Sequence, residues 1–189
     1  IVRTATGGSD GVTFYLPLAG SNGYTFAAYN GWIPFWGTNS YSGPTTIACG
    51  TIEFKAKAAY AKANVYFPDD GQVLVHPGAI LIVGNKDYWA NEIIGSLAGG
   101  GTVRLGSISH ATDATRRHSL IIGEGVTGAP GAITLDGGVL EPGLDNDVGT
   151  LTITTEMHAN AKPIPVTLAN GTFKVDIAGA GVCDVLSTM

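Results

Sequence analysis

The sequence predicts an all-β fold, and three observations carry this prediction. Glycine accounts for 28 of the 189 residues, which is typical of a chain with many tight turns. Short apolar segments with alternating polarity recur along the chain, whereas helical periodicity is nearly absent. The one stretch with helix-favouring composition is rich in alanine and lysine, at residues 54–67. It runs into Tyr66-Phe67 without a cap, so we favour strand over helix there.

The recurring segments share one pattern, in which a glycine precedes a short run of alternating apolar residues. In the first copy, Ile52 and Phe54 fall on one face of the predicted strand, while Thr51 and Glu53 fall on the other. Each copy therefore reads as a turn followed by a strand with one buried face. The copies are GTIEF (50–54), GQVLV (71–75), GAILI (78–82), GTVRL (101–105), GAITL (131–135), GTLTI (149–153) and GTFKV (171–175).

Two architectures accommodate many short strands with glycine turns: an antiparallel sandwich and a parallel β-helix, in which each coil stacks on the last. Similar strands favour the β-helix, because equivalent positions in successive coils share one environment. The usual handedness of parallel crossovers predicts a right-handed coil. In this interpretation Gly99, Gly100 and Gly101 form a tight corner between two strands, and His76 faces outward before a Pro-Gly turn.

The aromatic residues divide the chain into two predicted regions. Nine of the sixteen lie within residues 1–50, whereas residues 51–189 carry most of the repeats. A β-helix needs its open end covered, so we expect the first region to be a cap or a subunit contact rather than a sugar-stacking surface. The residues expected to form it are Trp32, Phe35, Trp36 and Tyr41.

Four segments of the chain resemble the autotransporter-associated β-strand repeat and the passenger-associated transport repeat. This resemblance spans about residues 63–188 and implies a right-handed parallel β-helix displayed at the surface of a bacterial cell. Members of these families are long, so the resemblance also implies that the sequence is a fragment of a longer chain. The segments are ANVYFPDDGQVLVHPGAILIVGN (63–85), IIGSLAGGGTVRLGS (93–107), GAITLDGGVLEPGLDNDVGTLTIT (131–154) and GTFKVDIAGAGVCDVLST (171–188).

The most charged stretch, HATDATRRHSL (110–120), supplies the candidate residues for binding or cleaving an acidic sugar. We favour a solvated, inert loop over this alternative. A second motif, GEGVTG (123–128), has the glycine spacing of a dinucleotide site, but a strand and not a helix is expected after it. No metal or cofactor is expected, because turn chemistry explains the acidic corners. The candidate sugar-binding residues are Asp113, Arg116, Arg117 and His118.

Composition narrows the class of function. A formal net charge of −5 disfavours a nucleic-acid partner, and no apolar run is long enough for a membrane-spanning helix. We expect a non-catalytic, extracellular structural protein that displays other groups or self-associates into a fibre or matrix. Val185 and Leu186 are expected to contribute to self-association, because their strand lacks the Lys or Pro that usually guards an edge. The alternative is a glycan-binding or polysaccharide-lyase-like module.

Overall fold

A computed structural model describes part of the chain, and every regular element within that part is a β-strand. This confirms the all-β prediction for these residues. The described residues are 2–3, 14, 16–35, 39–56, 67–68, 71–83, 91–105, 119–122, 133–141, 150–153, 166–173, 177–179, 182–183 and 185–188. The strands are β1 (Val2–Arg3), β2 (Ala19–Gly20), β3 (Tyr24–Phe35), β4 (Ser40–Tyr41), β5 (Thr45–Ala56), β6 (Gln72–Val75), β7 (Ile80–Val83), β8 (Asn91–Ile94), β9 (Ser96–Gly99), β10 (Thr102–Leu105), β11 (Ser119–Ile122), β12 (Ile133–Asp136), β13 (Val139–Glu141), β14 (Thr150–Ile153), β15 (Val166–Ala169), β16 (Thr172–Phe173), β17 (Ile177–Gly179), β18 (Val182–Cys183) and β19 (Val185–Thr188).

Parallel pairing dominates the fold. An 11-stranded parallel sheet has the order β15-β12-β9-β6-β5-β7-β10-β13-β16, with β3 on β5 and β1 on β3, and it curls. A second parallel sheet has the order β19-β14-β11-β8, and β2 pairs with β4 in parallel. Among the described pairs, only β17 and β18 run antiparallel. This arrangement excludes an antiparallel sandwich for the described strands and is compatible with a β-helix.

The long strand β5 explains why two rows of strands belong to one sheet. Its first part, Thr45–Ile47, pairs with β6, and its second part, Thr51–Phe54, pairs with β7. Later in the chain, β6 and β7 are separate strands joined by a turn. Each following segment again contributes one strand to each row, as β9 with β10, β12 with β13, and β15 with β16.

The core lies on the face that the alternating pattern predicts in β6, whereas in β7 it lies on the opposite face, because the GAILI copy predicts Ile80 and Ile82 to be buried. In β6 and β7 the buried side chains are Val73, Val75, Leu81 and Val83, each no more than 1 % exposed, and the residues between them are only partly covered. His76 is exposed, as predicted. Burying such aliphatic side chains contributes about 1.5–3 kcal/mol each relative to leaving them in water.

Three phenylalanines extend this core through successive segments of the chain. The rings of Phe26 and Phe54 meet edge to face with centroids 5.3 Å apart, and those of Phe54 and Phe67 with centroids 4.9 Å apart. Each ring is no more than 1 % exposed. The sheet and the aromatic column thus bury one continuous apolar interior.

Two sequence expectations fall partly outside the described residues. Of the stretch 54–67, Phe54–Ala56 is strand, as favoured, and residues 57–66 lie outside the described part. The division at residue 50 stays a prediction, and strand β5 crosses that position.

Candidate functional site

Two aligned rows of residues bound the corners of the curled sheet. Backbone pairing places one row at the end of the first strand of each segment and the other at the start of the second strand. We call the residues between the two rows the corner. The first row is Phe26, Ile47, Val75, Gly99, Leu135 and Leu168, and the second is Asn30, Thr51, Ile80, Thr102, Val139 and Thr172.

The corner lengths explain the three consecutive glycines. Four corners advance the chain by four positions between the rows, whereas the Val75 to Ile80 corner advances by five and the next, from Gly99 to Thr102, by three. The short corner therefore offsets the long one and restores the register. The backbone of the short corner lies close to the backbones of the preceding and following corners. This close approach leaves no room for side chains.

Hydrogen bonds and close contacts show how tight this corner is. The Gly101 N–H donates to the Val75 carbonyl at 3.0 Å, and the Gly101 carbonyl accepts from Val139 N–H at 3.0 Å. A Cβ atom on Gly101 would lie 2.5 Å from the His76 carbonyl oxygen and 2.7 Å from that of Ala79. Three glycines thus allow the backbones of successive segments to bond to each other directly. The predicted tight corner at residues 99–101 is confirmed.

Two later corners each contain a residue with a positive φ angle. Asp136 pairs with Ala169, so Gly137 aligns with Asn170, and these two residues have φ of 72° and 54°. Asparagine tolerates this left-handed region better than most residues with a side chain. A Cβ on Gly137 would meet no atom within 4 Å.

Replacement of Gly137 by asparagine should therefore leave the free energy of unfolding within about 0.5 kcal/mol of the original, as at an ordinary surface site. Replacement by valine should cost about 1–2 kcal/mol, because a β-branched side chain strains this backbone conformation. Urea denaturation of the two variants measures both values. Equal losses for Asn and Val would contradict the assigned backbone conformation.

A polar cluster lies inside the otherwise apolar interior, and sequence reasoning did not find it. Glu92 in β8 is 0 % exposed, and its Oε1 accepts a hydrogen bond from the Phe67 N–H at 2.8 Å. Thr45 is also 0 % exposed, and its Oγ1 is hydrogen-bonded to the Tyr41 hydroxyl. The charge of Glu92 acts on Tyr41, which links the two pairs into one cluster of residues from β4, β5, β8 and position 67.

Alignment shows how unusual the carboxylate is. Glu92 pairs with Leu120, which pairs with Leu151, which pairs with Leu186. One acidic residue thus occupies a row that is otherwise leucine. The sequence signal was weak, because Asn-Glu-Ile-Ile places an isoleucine on each face of the strand and so leaves the facing of Glu92 undecided.

Tyr41 belongs to this cluster and not to an exposed surface. It is 1 % exposed, and its ring meets that of Tyr24 edge to face at 4.8 Å. A side chain buried by its own chain offers no surface to a second copy. Tyr41 is therefore not a contact residue for a second copy, and its role in a cap stays a prediction.

Burial of Tyr41 has a consequence for alkaline stability. Desolvation raises the pKa of Tyr41 from 10.0 to about 12, against the opposing hydrogen bond from Thr45 and with a smaller contribution from the charge of Glu92. Above pH 10 the unfolded chain loses this proton while the folded chain keeps it. Stability is thus fully present below pH 10 and is lost between pH 10 and pH 12.

We expect Tyr41→Phe to reduce this loss by about 2 kcal/mol at pH 11.5, since one pKa unit corresponds to about 1.36 kcal/mol and pH 11.5 lies just below the folded-state pKa of about 12. Urea unfolding of both proteins at pH 9 and pH 11.5 measures the difference. Tyr24→Phe is the control, because Tyr24 is only partly buried and donates to the Ala19 carbonyl at 3.1 Å. The assignment fails if Tyr41→Phe and the original protein show the same pH dependence.

The other predicted assembly residues lie on two strands. Trp32 and Phe35 belong to β3, where they pair with Glu53 and Ala56 of β5. Val185 and Leu186 belong to β19, which pairs with β14 at one end of the four-stranded sheet. The backbone thus places both sets on strands near the ends of their sheets. Trp36 lies outside the described residues.

The candidate sugar-binding residues cannot be placed in the same way. Asp113, Arg116, Arg117 and His118 lie outside the described residues, as does the GEGVTG motif. Across the described segments there is no group of three or more His, Cys, Asp and Glu residues that could hold a metal ion. The same segments contain no helix long and apolar enough to cross a membrane.

Neither the protein-family models nor the curated proteins nor the solved structures gave a match to this chain.

Proposed function

We propose that the chain is a non-catalytic structural rod built as a right-handed parallel β-helix. One observation carries the proposal: six successive segments contribute aligned residues to the same two rows, and all the pairings between them are parallel. A chain in which each segment pairs with the preceding one grows along a single axis. Such a chain is stiff along that axis and suits a spacer or fibre.

The proposed setting is the outside of a bacterial cell. Support comes from the likeness of residues 63–188 to autotransporter-type repeats. Sparse charge, at 13 % of the residues, suits a chain whose strands bury one face and present short polar side chains on the other. Thr134 and Thr167 are examples of such exposed side chains.

Self-association along the axis is the second part of the proposal. Within the described strands, β15, β16 and β19 each pair on one side only. Their sequences, VTLA, TF and VLST, contain no proline and no charged residue. Natural proteins usually guard open edges with such residues, and an unguarded edge favours pairing with another chain. Trp32, Phe35, Trp36, Val185 and Leu186 are the proposed contact residues.

Negative-stain electron microscopy over a range of concentrations tests this part of the proposal. Filaments with a regular axial repeat are expected. Thr167→Lys places a charge on the edge strand β15 and should reduce filament formation at least several-fold. Thr134→Lys is the matched control, because Thr134 is the paired residue on the inner strand β12 and is also exposed.

If filaments persist in Thr167→Lys, the contact between copies lies on a surface other than the edge of β15. Monodisperse short rods at every concentration would contradict self-association and leave a rod that acts as a spacer. Particles that are not elongated at all would contradict the rod itself.

A further inference from the structure

We draw no further inference here: the strongest candidate, the sheet edge formed by β15, β16 and β19, already belongs to the proposed assembly, and nothing in the described residues shows which strand covers it.

Discussion

Replacement of Gly101 by alanine is expected to lower the free energy of unfolding by an amount near the top of the range of about 1–3 kcal/mol that inserting atoms into a packed site usually costs. The added Cβ would lie 2.5 Å and 2.7 Å from two backbone carbonyl oxygens, those of His76 and Ala79. Neither oxygen belongs to a side chain that can rotate away. The neighbouring corner must therefore shift, and that corner also accepts the Thr102 N–H at the Ala79 carbonyl, at 2.9 Å.

Gly78→Ala is the matched control for this prediction. Gly78 lies in the long corner directly before the short one, has φ of 79°, and would place a Cβ in open space. Its replacement should cost only about 1 kcal/mol, because the strain is confined to its own backbone. Urea denaturation of the two variants compares the two costs. A loss for Gly101→Ala no larger than that for Gly78→Ala would contradict the tight approach of the two corners.

Replacement of Glu92 by leucine is the second large effect that we expect. Leucine matches Leu120, Leu151 and Leu186 in the same row and adds an apolar side chain to the core. It nevertheless removes the acceptor of the Phe67 N–H inside a buried site. An unsatisfied buried donor costs about 1–3 kcal/mol, so we expect a loss of this size.

Glu92→Gln separates the hydrogen bond from the charge. The amide oxygen of glutamine can accept from Phe67 N–H in place of the carboxylate oxygen. We therefore expect Glu92→Gln to retain more stability than Glu92→Leu in the same urea assay. If Gln and Leu destabilise the chain equally, the charge of Glu92 and not its bond to Phe67 determines the stability. A gain in stability for Leu would contradict any structural role of the acceptor.

The repeated pattern predicted much of the local structure. In Ile80–Val83 the pattern gives the wrong face, because the corner before this strand is one residue longer than most of the others. Gln72–Val75 and Thr102–Leu105 are strands that follow glycine turns, and their buried faces are those given by alternation. This succeeds because side-chain direction alternates with a period of two in any strand. The pattern also gave the corner at Gly99–Gly101, since no other residue type fits so short a connection.

Long-range features were not predictable from local pattern. The sequence suggests a break at Cys49-Gly50, yet β5 continues through it and serves two rows of strands. Corner lengths matter only relative to the neighbouring corners, so the offset between the long and the short corner appears only once the strands are paired. The burial of Glu92 depends on Phe67, a residue 25 positions earlier in the chain.

In the proposed rod, successive segments stack in a straight line, and distances along one row of paired residues test this stacking most directly. Thr46, Leu74, Ala98, Thr134 and Thr167 occupy consecutive strands of one row. Spin labels would be placed at Thr167 and at Ala98, Leu74 or Thr46 in turn. The chain has two cysteines, so a background with both Cys49→Ser and Cys183→Ser is needed to confine the labels to the chosen positions.

Electron paramagnetic resonance then reports the three separations. With strands about 4.8 Å apart, a straight stack predicts backbone separations of about 10 Å, 14 Å and 19 Å, increasing by one strand spacing per segment. A sheet that closes on itself would bring the ends of the row together. A separation that stops increasing, or falls, between the Leu74 and Thr46 pairs would contradict the β-helical rod.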